Sequence, residues 1–200
     1  MLSVVFVASG TWVCPNGITK IIVQCVGSGA SGGAGLYENG AGGGGGGAYA
    51  KTTMVPTAGR TYVVTISADA KFSYGATTYC LADGGYVGQN STEEGVGAGG
   101  SGGTVGNCVG DVKTAGNDGA SGFVFHGGKG GNSALGDIGA AGGTTGNDGE
   151  DVVVEDSHGA GGGGGGAASG GGTSGGDGSV GMVMITMFRK NLVTNVIKTD

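Results

Sequence analysis

The chain has 200 residues, of which 54 are glycine and two are proline, and a formal net charge of −6. Collagen is excluded, since it needs glycine at every third place and abundant proline. The acidic balance argues against nucleic-acid binding by phosphate neutralisation and against a polybasic membrane contact. Charged residues make up only 12%, fewer than a disordered chain normally carries.

Residues 2–8, LSVVFVA, are apolar and valine-rich and predict a strand. A signal peptide is the weaker reading, because no positive region precedes this short stretch. No run approaches the roughly 18 apolar residues of a membrane-spanning helix. Residues 11–13 resume an extended pattern, and Asn16-Gly17 then predicts a hairpin through a type I′ turn. Residues 18–26, ITKIIVQCV, form the best strand, with Ile21, Val23 and Cys25 on the face expected to pack inward. The GSGASG that follows has the spacing of a dinucleotide fingerprint, whose mechanism needs a helix N-terminus at the pyrophosphate. The next residues are too glycine-rich for a helix, at ~1 kcal/mol per glycine. Composition produces that match.

Residues 40–48 read GAGGGGGGA and recur at 159–167. Six glycines have no side chain to bury and lose the most backbone entropy on ordering. Such a run is a flexible linker or a segment held by other backbones. The repeat on both sides of an apolar-spiked middle, closed by a strong strand, favours order. Glycine chains can form the left-handed threefold extended helix of the polyproline II type. Without Cβ atoms, such helices can lie side by side and exchange backbone hydrogen bonds. Loop tips would then carry the non-glycine residues and the function.

Further strands are predicted at 48–55, ended by Pro56, at 60–67, and at 72–82 with a bend at Gly75. From 83 to 178 the glycines are interrupted by islands at 86–87, 89–94, 107–113, 123–126 and 148–158. Residues 179–188, SVGMVMITMF, read as a final strand with Val180, Met182, Met184, Thr186 and Phe188 on one face. The expected fold is all-β in a single domain. Residues 1–82 and 179–188 make a β-sandwich base, glycine-rich segments at 27–47 and 83–178 pack as polyglycine II-type helices, and 189–200 form a tail.

Cys14, Cys25, Cys80 and Cys108 match no zinc spacing and read as reduced thiols, with one or two disulfides the alternative in a secreted chain. His126 and His158 stand alone in loop-like islands. Asp156, Ser157 and His158 are sequence neighbours, and a catalytic triad needs residues brought together from apart. The Gly-Asn-Asp-Gly fragments lack the tandem period of calcium repeats. We expect no enzyme, no metal and no cofactor.

The opening FVASGTWVCPNGITKIIVQCVGSGASGG, the middle GGGGGGAYAKTTMVPTAGRTYVVTISADA and the closing GGDGSVGMVMITMF together resemble the glycine-rich domains of phage tail fibre and adhesin proteins. The resemblance covers roughly residues 6 to 188. It departs at Cys14, where Val or Ile is usual, at Ala58, and after Arg189. It implies a virion appendage made in the host cytoplasm without a signal peptide, whose tips contact the host surface. Tyr37, Glu38, Asn39, Tyr86, Gln89, Asn90, Phe123, Phe125 and His126 are the tip residues expected to bind a receptor, aromatics and amides offering contact area at low entropic cost. The implied partners are other virion proteins, a host receptor of protein or glycan, and further copies of the chain. Neither nucleic acid nor membrane insertion is implied. The alternatives are a structural virion component without receptor binding and, with less support, an ice-binding protein.

Overall fold

Alternation of apolar and polar residues, which puts successive side chains on opposite faces of a strand, builds the base of the molecule. The computed structural model describes residues 2–144, 146–152, 158–159 and 172–189. In chain order the strands are β1 (Leu2–Phe6), β2 (Gly10–Val13), β3 (Ile18–Val26), β4 (Tyr49–Met54), β5 (Thr61–Ile66), β6 (Ala70–Tyr74), β7 (Thr77–Ala82), β8 (Val112–Thr114) and β9 (Met182–Arg189). They form two antiparallel sheets, β1-β9-β3-β4-β8 and β2-β5-β6-β7, and the described residues contain no α-helix. The fold is all-β and sandwich-like, with the N- and C-terminal strands side by side in the five-stranded sheet.

The core lies between the sheets. Ile21, Val23 and Cys25 of β3 are fully buried as expected, beside Val183, Ile185 and Met187 of β9. The facing sheet contributes Tyr62, Val64, Phe72 and Cys80, and the Tyr62 and Phe72 rings stack with centroids 5.0 Å apart. All four cysteines are free and buried, which agrees with the reduced reading. The Cys80 thiol lies 3.5 Å from the Ala50 carbonyl oxygen. Burial and the adjacent Cys80 thiol push the Cys25 pKa well above the ordinary thiol range.

Two expectations are corrected. The turn at Asn16-Gly17 is not a hairpin, because β2 pairs with β5 whereas β3 pairs with β4 and β9. Pro15 has no N–H to give a ladder beside that turn, so the chain crosses there from one sheet to the other. Residues 112–114, placed in the glycine-rich region, return as edge strand β8 against β4. All three are exposed, so no alternation marks them. The bend at Gly75 does join a hairpin, β6–β7, with a φ of 54° that glycine adopts freely.

Beyond the sheets, residues 40–48 run through the middle of the glycine-rich region, almost wholly buried. Their nine carbonyl oxygens all accept backbone hydrogen bonds, taken in turn by three neighbours. Gly97, Gly100 and Gly103 donate to Gly40, Gly43 and Gly46; Gly128, Gly131 and Ala134 donate to Ala41, Gly44 and Gly47; Gly33, Ala30 and Gly27 donate to Gly42, Gly45 and Ala48. Every third residue therefore meets the same neighbour. Donation follows the same rule: Gly42, Gly45 and Ala48 give to Gln89, Tyr86 and Asp83, and Gly40, Gly43 and Gly46 give to Phe123, Ala120 and Asn117. The close approach requires glycine, since a Cβ on Gly45 would stand 1.9 Å from the Ser101 carbonyl oxygen.

At the margins, side chains complete the ladder. Asp83 Oδ2 accepts from Thr104 N at 2.8 Å and Asp118 Oδ1 from Gly102 N at 2.8 Å, so amides at the edge of the array are not left unpaired. Gly159 accepts from Gly47 N, but 160–167, the remainder of the second glycine run, lies outside the described residues, as do 153–157 and the tail from 190.

Candidate recognition tip

Glycine segments that leave the sheets must turn at their far end. Three of these turns share one construction. In 36–39, 92–95 and 123–126 the first and fourth residues exchange backbone hydrogen bonds, forming the isolated bridges Leu36↔Asn39, Thr92↔Gly95 and Phe123↔His126. The two central residues are thereby turned outward: Tyr37-Glu38, Glu93-Glu94 and Val124-Phe125, all exposed.

The turns are tied to one another. Phe125 N donates to the Glu38 carbonyl at 2.8 Å, and Asn39 Nδ2 donates to the Thr92 carbonyl at 2.9 Å. Beneath them the buried Ser91 hydroxyl donates to the Asn39 carbonyl at 2.7 Å and accepts from Leu36 N at 2.6 Å. Tyr37 (φ 55°) and Phe125 (φ 67°) are the only non-glycine residues with positive φ among those described. An aromatic side chain in this region costs of order 1 kcal/mol and persists where its surroundings enforce it. Between the turns is a cavity of about 540 Å³ lined by Tyr37, Glu38, Asn39, Glu93, Glu94 and Val124. The Glu93 carboxylate beside the Tyr37 hydroxyl raises the tyrosine pKa.

The family profile described as "Glycine-rich domain" matches residues 6–188, from the end of β1 almost to the end of β9. The chain belongs to the glycine-rich domain family. No curated protein matches it.

Within this glycine-rich domain, six of the nine residues expected at the tip come together there: Tyr37, Glu38 and Asn39 on one turn, and Phe123, Phe125 and His126 on another. Three do not. Tyr86 lies toward the sheets, one period from Asp83, with its hydroxyl accepting from Asn107 Nδ2 at 3.4 Å. Gln89 stands on the flank of its segment, bonded through its backbone to Gly42 and Ala98. Asn90 is used internally, its Oδ1 accepting from Ala34 N at 2.8 Å. All three are exposed but precede the turn at 92–95, so they emerge along the segment and not among the three turns.

Glu93, Glu94 and Val124 were not among the expected residues. LYEN and FVFH are each four residues between glycines, a turn length that points to their middle pairs and so to Val124. The third island, QNSTEE between Gly88 and Gly95, is six residues long, so length did not single out Glu93 and Glu94.

Among the described residues no group of His, Cys, Asp or Glu is arranged to hold a metal, and no helix is long and apolar enough to cross a membrane. What the tip offers chemically is non-covalent contact: aromatic faces, carboxylates and exposed backbone on a preset frame.

Proposed function

We propose that this glycine-rich domain is the recognition end of a phage virion appendage, a tail fibre or spike tip adhesin, which binds the host cell surface through the three-turn tip. In this reading the segments beyond the sheets are polyglycine II-type helices, and their lattice is the rigid mount. The observation that carries it is the convergence of the two strained aromatics, Tyr37 and Phe125, on turns bonded to each other. Strain of this kind lowers stability, and its survival at an exposed loop is best explained by what the loop contacts. A backbone-bonded mount also reduces the ordering cost of binding.

The base would attach to other virion proteins, in copies related by symmetry. Exposed apolar side chains on both sheets, such as Val5, Val13 and Val63, suit that attachment. They also support the second reading, a structural virion component that only packs against its neighbours.

The test is binding of the purified chain to a panel of intact bacterial cells, beside a Tyr37→Asn/Phe125→Asn variant. Asparagine tolerates positive φ, so the turns keep their course while the rings are lost. Binding by the parent and loss in a variant of unchanged fold support the tip adhesin. Absence of binding by both, across the panel, favours the structural component.

A further inference from the structure

Resting on the reading of the tip as a recognition surface, we infer that its partner is a protein surface presenting lysine or arginine beside apolar side chains, and not an anionic polysaccharide. The contact area is apolar. Phe123, Val124, Tyr37 and Phe125 are between 43% and 66% exposed, and the Phe125–Glu38 backbone bond holds the two turns that bear them together. An occupant has to cover this surface, which a bare amine or a heavily hydrated sugar chain does poorly.

The charge around that surface has one sign. Glu38, Glu93 and Glu94 line the cavity and no lysine or arginine does. Glu93 meets the Tyr37 hydroxyl, and the carboxylates of Glu38 and Glu94 have no partner among the described residues. The described cations lie elsewhere. Lys20, Lys51, Lys71, Lys113 and Arg189 are on sheet strands, Arg60 adjoins β5, and Lys129 is in the middle of its segment, opposite Ala120. An incoming polyanion therefore meets unscreened carboxylates, whereas a cation beside an apolar group meets both carboxylate and aromatic faces, each of which attracts it. This complementarity selects the basic protein over the anionic glycan.

The experiment follows the backbone amides of the isotopically labelled full chain by NMR during titration with three probes: the peptide amides Lys-Trp-Lys and Glu-Trp-Glu, and heparin. The parent is compared with the triple variant Glu38→Gln, Glu93→Gln, Glu94→Gln, which keeps side-chain size in exposed turns. We expect Lys-Trp-Lys to move the amides of 36–39, 92–95 and 123–126, with affinity falling about tenfold or more in the triple variant. Heparin and Glu-Trp-Glu should leave those amides in place. Equal or stronger effects from heparin or Glu-Trp-Glu, no tip shift with Lys-Trp-Lys, or an unchanged affinity in the triple variant would each overturn the inference. Cell binding by the same proteins separates it from the reading beneath it. Cell binding lost in Tyr37→Asn/Phe125→Asn but kept in the triple variant leaves the recognition tip standing and removes the basic partner. Cell binding kept in both removes both.

Discussion

The Phe125 amide donates to the Glu38 carbonyl oxygen at 2.8 Å, so each of the two strained turns is braced by the other. Neither turn is held by its own sequence, since both place an aromatic residue where glycine or asparagine is preferred. The tip is thus a tertiary object, built from turns that lie well apart in the chain, at 36–39, 92–95 and 123–126.

That arrangement predicts a trade between stability and binding. Replacing Tyr37 by Asn relieves an unfavourable backbone conformation at an exposed site. We expect stability in urea to be unchanged or to rise by up to ~1 kcal/mol, with binding to cells or peptide reduced. A clear drop in the urea midpoint would show that the Tyr37 ring supports the fold.

Ser91 tests the brace from below. Its hydroxyl serves Leu36 N and the Asn39 carbonyl in a buried setting, while Leu36 N also reaches Asn39 O at 3.2 Å. Ser91→Ala removes both side-chain bonds but leaves Leu36 N and the Asn39 carbonyl bonded to each other, so it should cost about 0.5–1.5 kcal/mol. Faster amide hydrogen exchange confined to 36–39 would locate the loss in that turn.

The central glycine segment admits a sharper comparison. In Gly45→Ala the new Cβ meets backbone, which cannot swing aside, so a loss of ~3 kcal/mol or more is expected. At Gly106, in a turn near the sheets, a Cβ meets nothing within 4 Å, and Gly106→Ala should stay within about 0.5 kcal/mol of the parent. Similar midpoints for the two variants would contradict the close packing of 40–48.

Burial of the thiols makes stability depend on pH in a defined direction. The Cys25 pKa is raised, chiefly by burial and then by Cys80, and burial also raises those of Cys14 and Cys108. Below the thiol range, near pH ~8.5, folded and unfolded chains are both protonated and the full stability is present. Above it the unfolded chain releases protons that the folded one keeps, so stability falls as pH rises toward the folded values. Urea midpoints should decline between pH ~8 and ~10, and the decline should be shallower in Cys25→Ala. A flat profile in the parent would refute the shift.

Much of the base was legible in the residues themselves. Alternation in ITKIIVQCV placed Ile21, Val23 and Cys25 inward, and Gly75 marked a real hairpin, because strand period and positive φ are local properties. The glycine run at 40–48 likewise announced backbone-to-backbone packing, having nothing else with which to pack. Which segments become neighbours was not local. A backbone hydrogen bond carries no side-chain identity, so a threefold glycine segment accepts many partners equally well, and only the closed array assigns Gln89 to Gly42 or Phe123 to Gly40. The same indifference hid the grouping of Glu93 and Glu94 with Tyr37 and left Tyr86 toward the sheets. Residue pattern and composition called for strands, a glycine array and exposed islands. Which islands meet rests on chain path and backbone bonding summed over the whole array, and no local stretch of residues carries that.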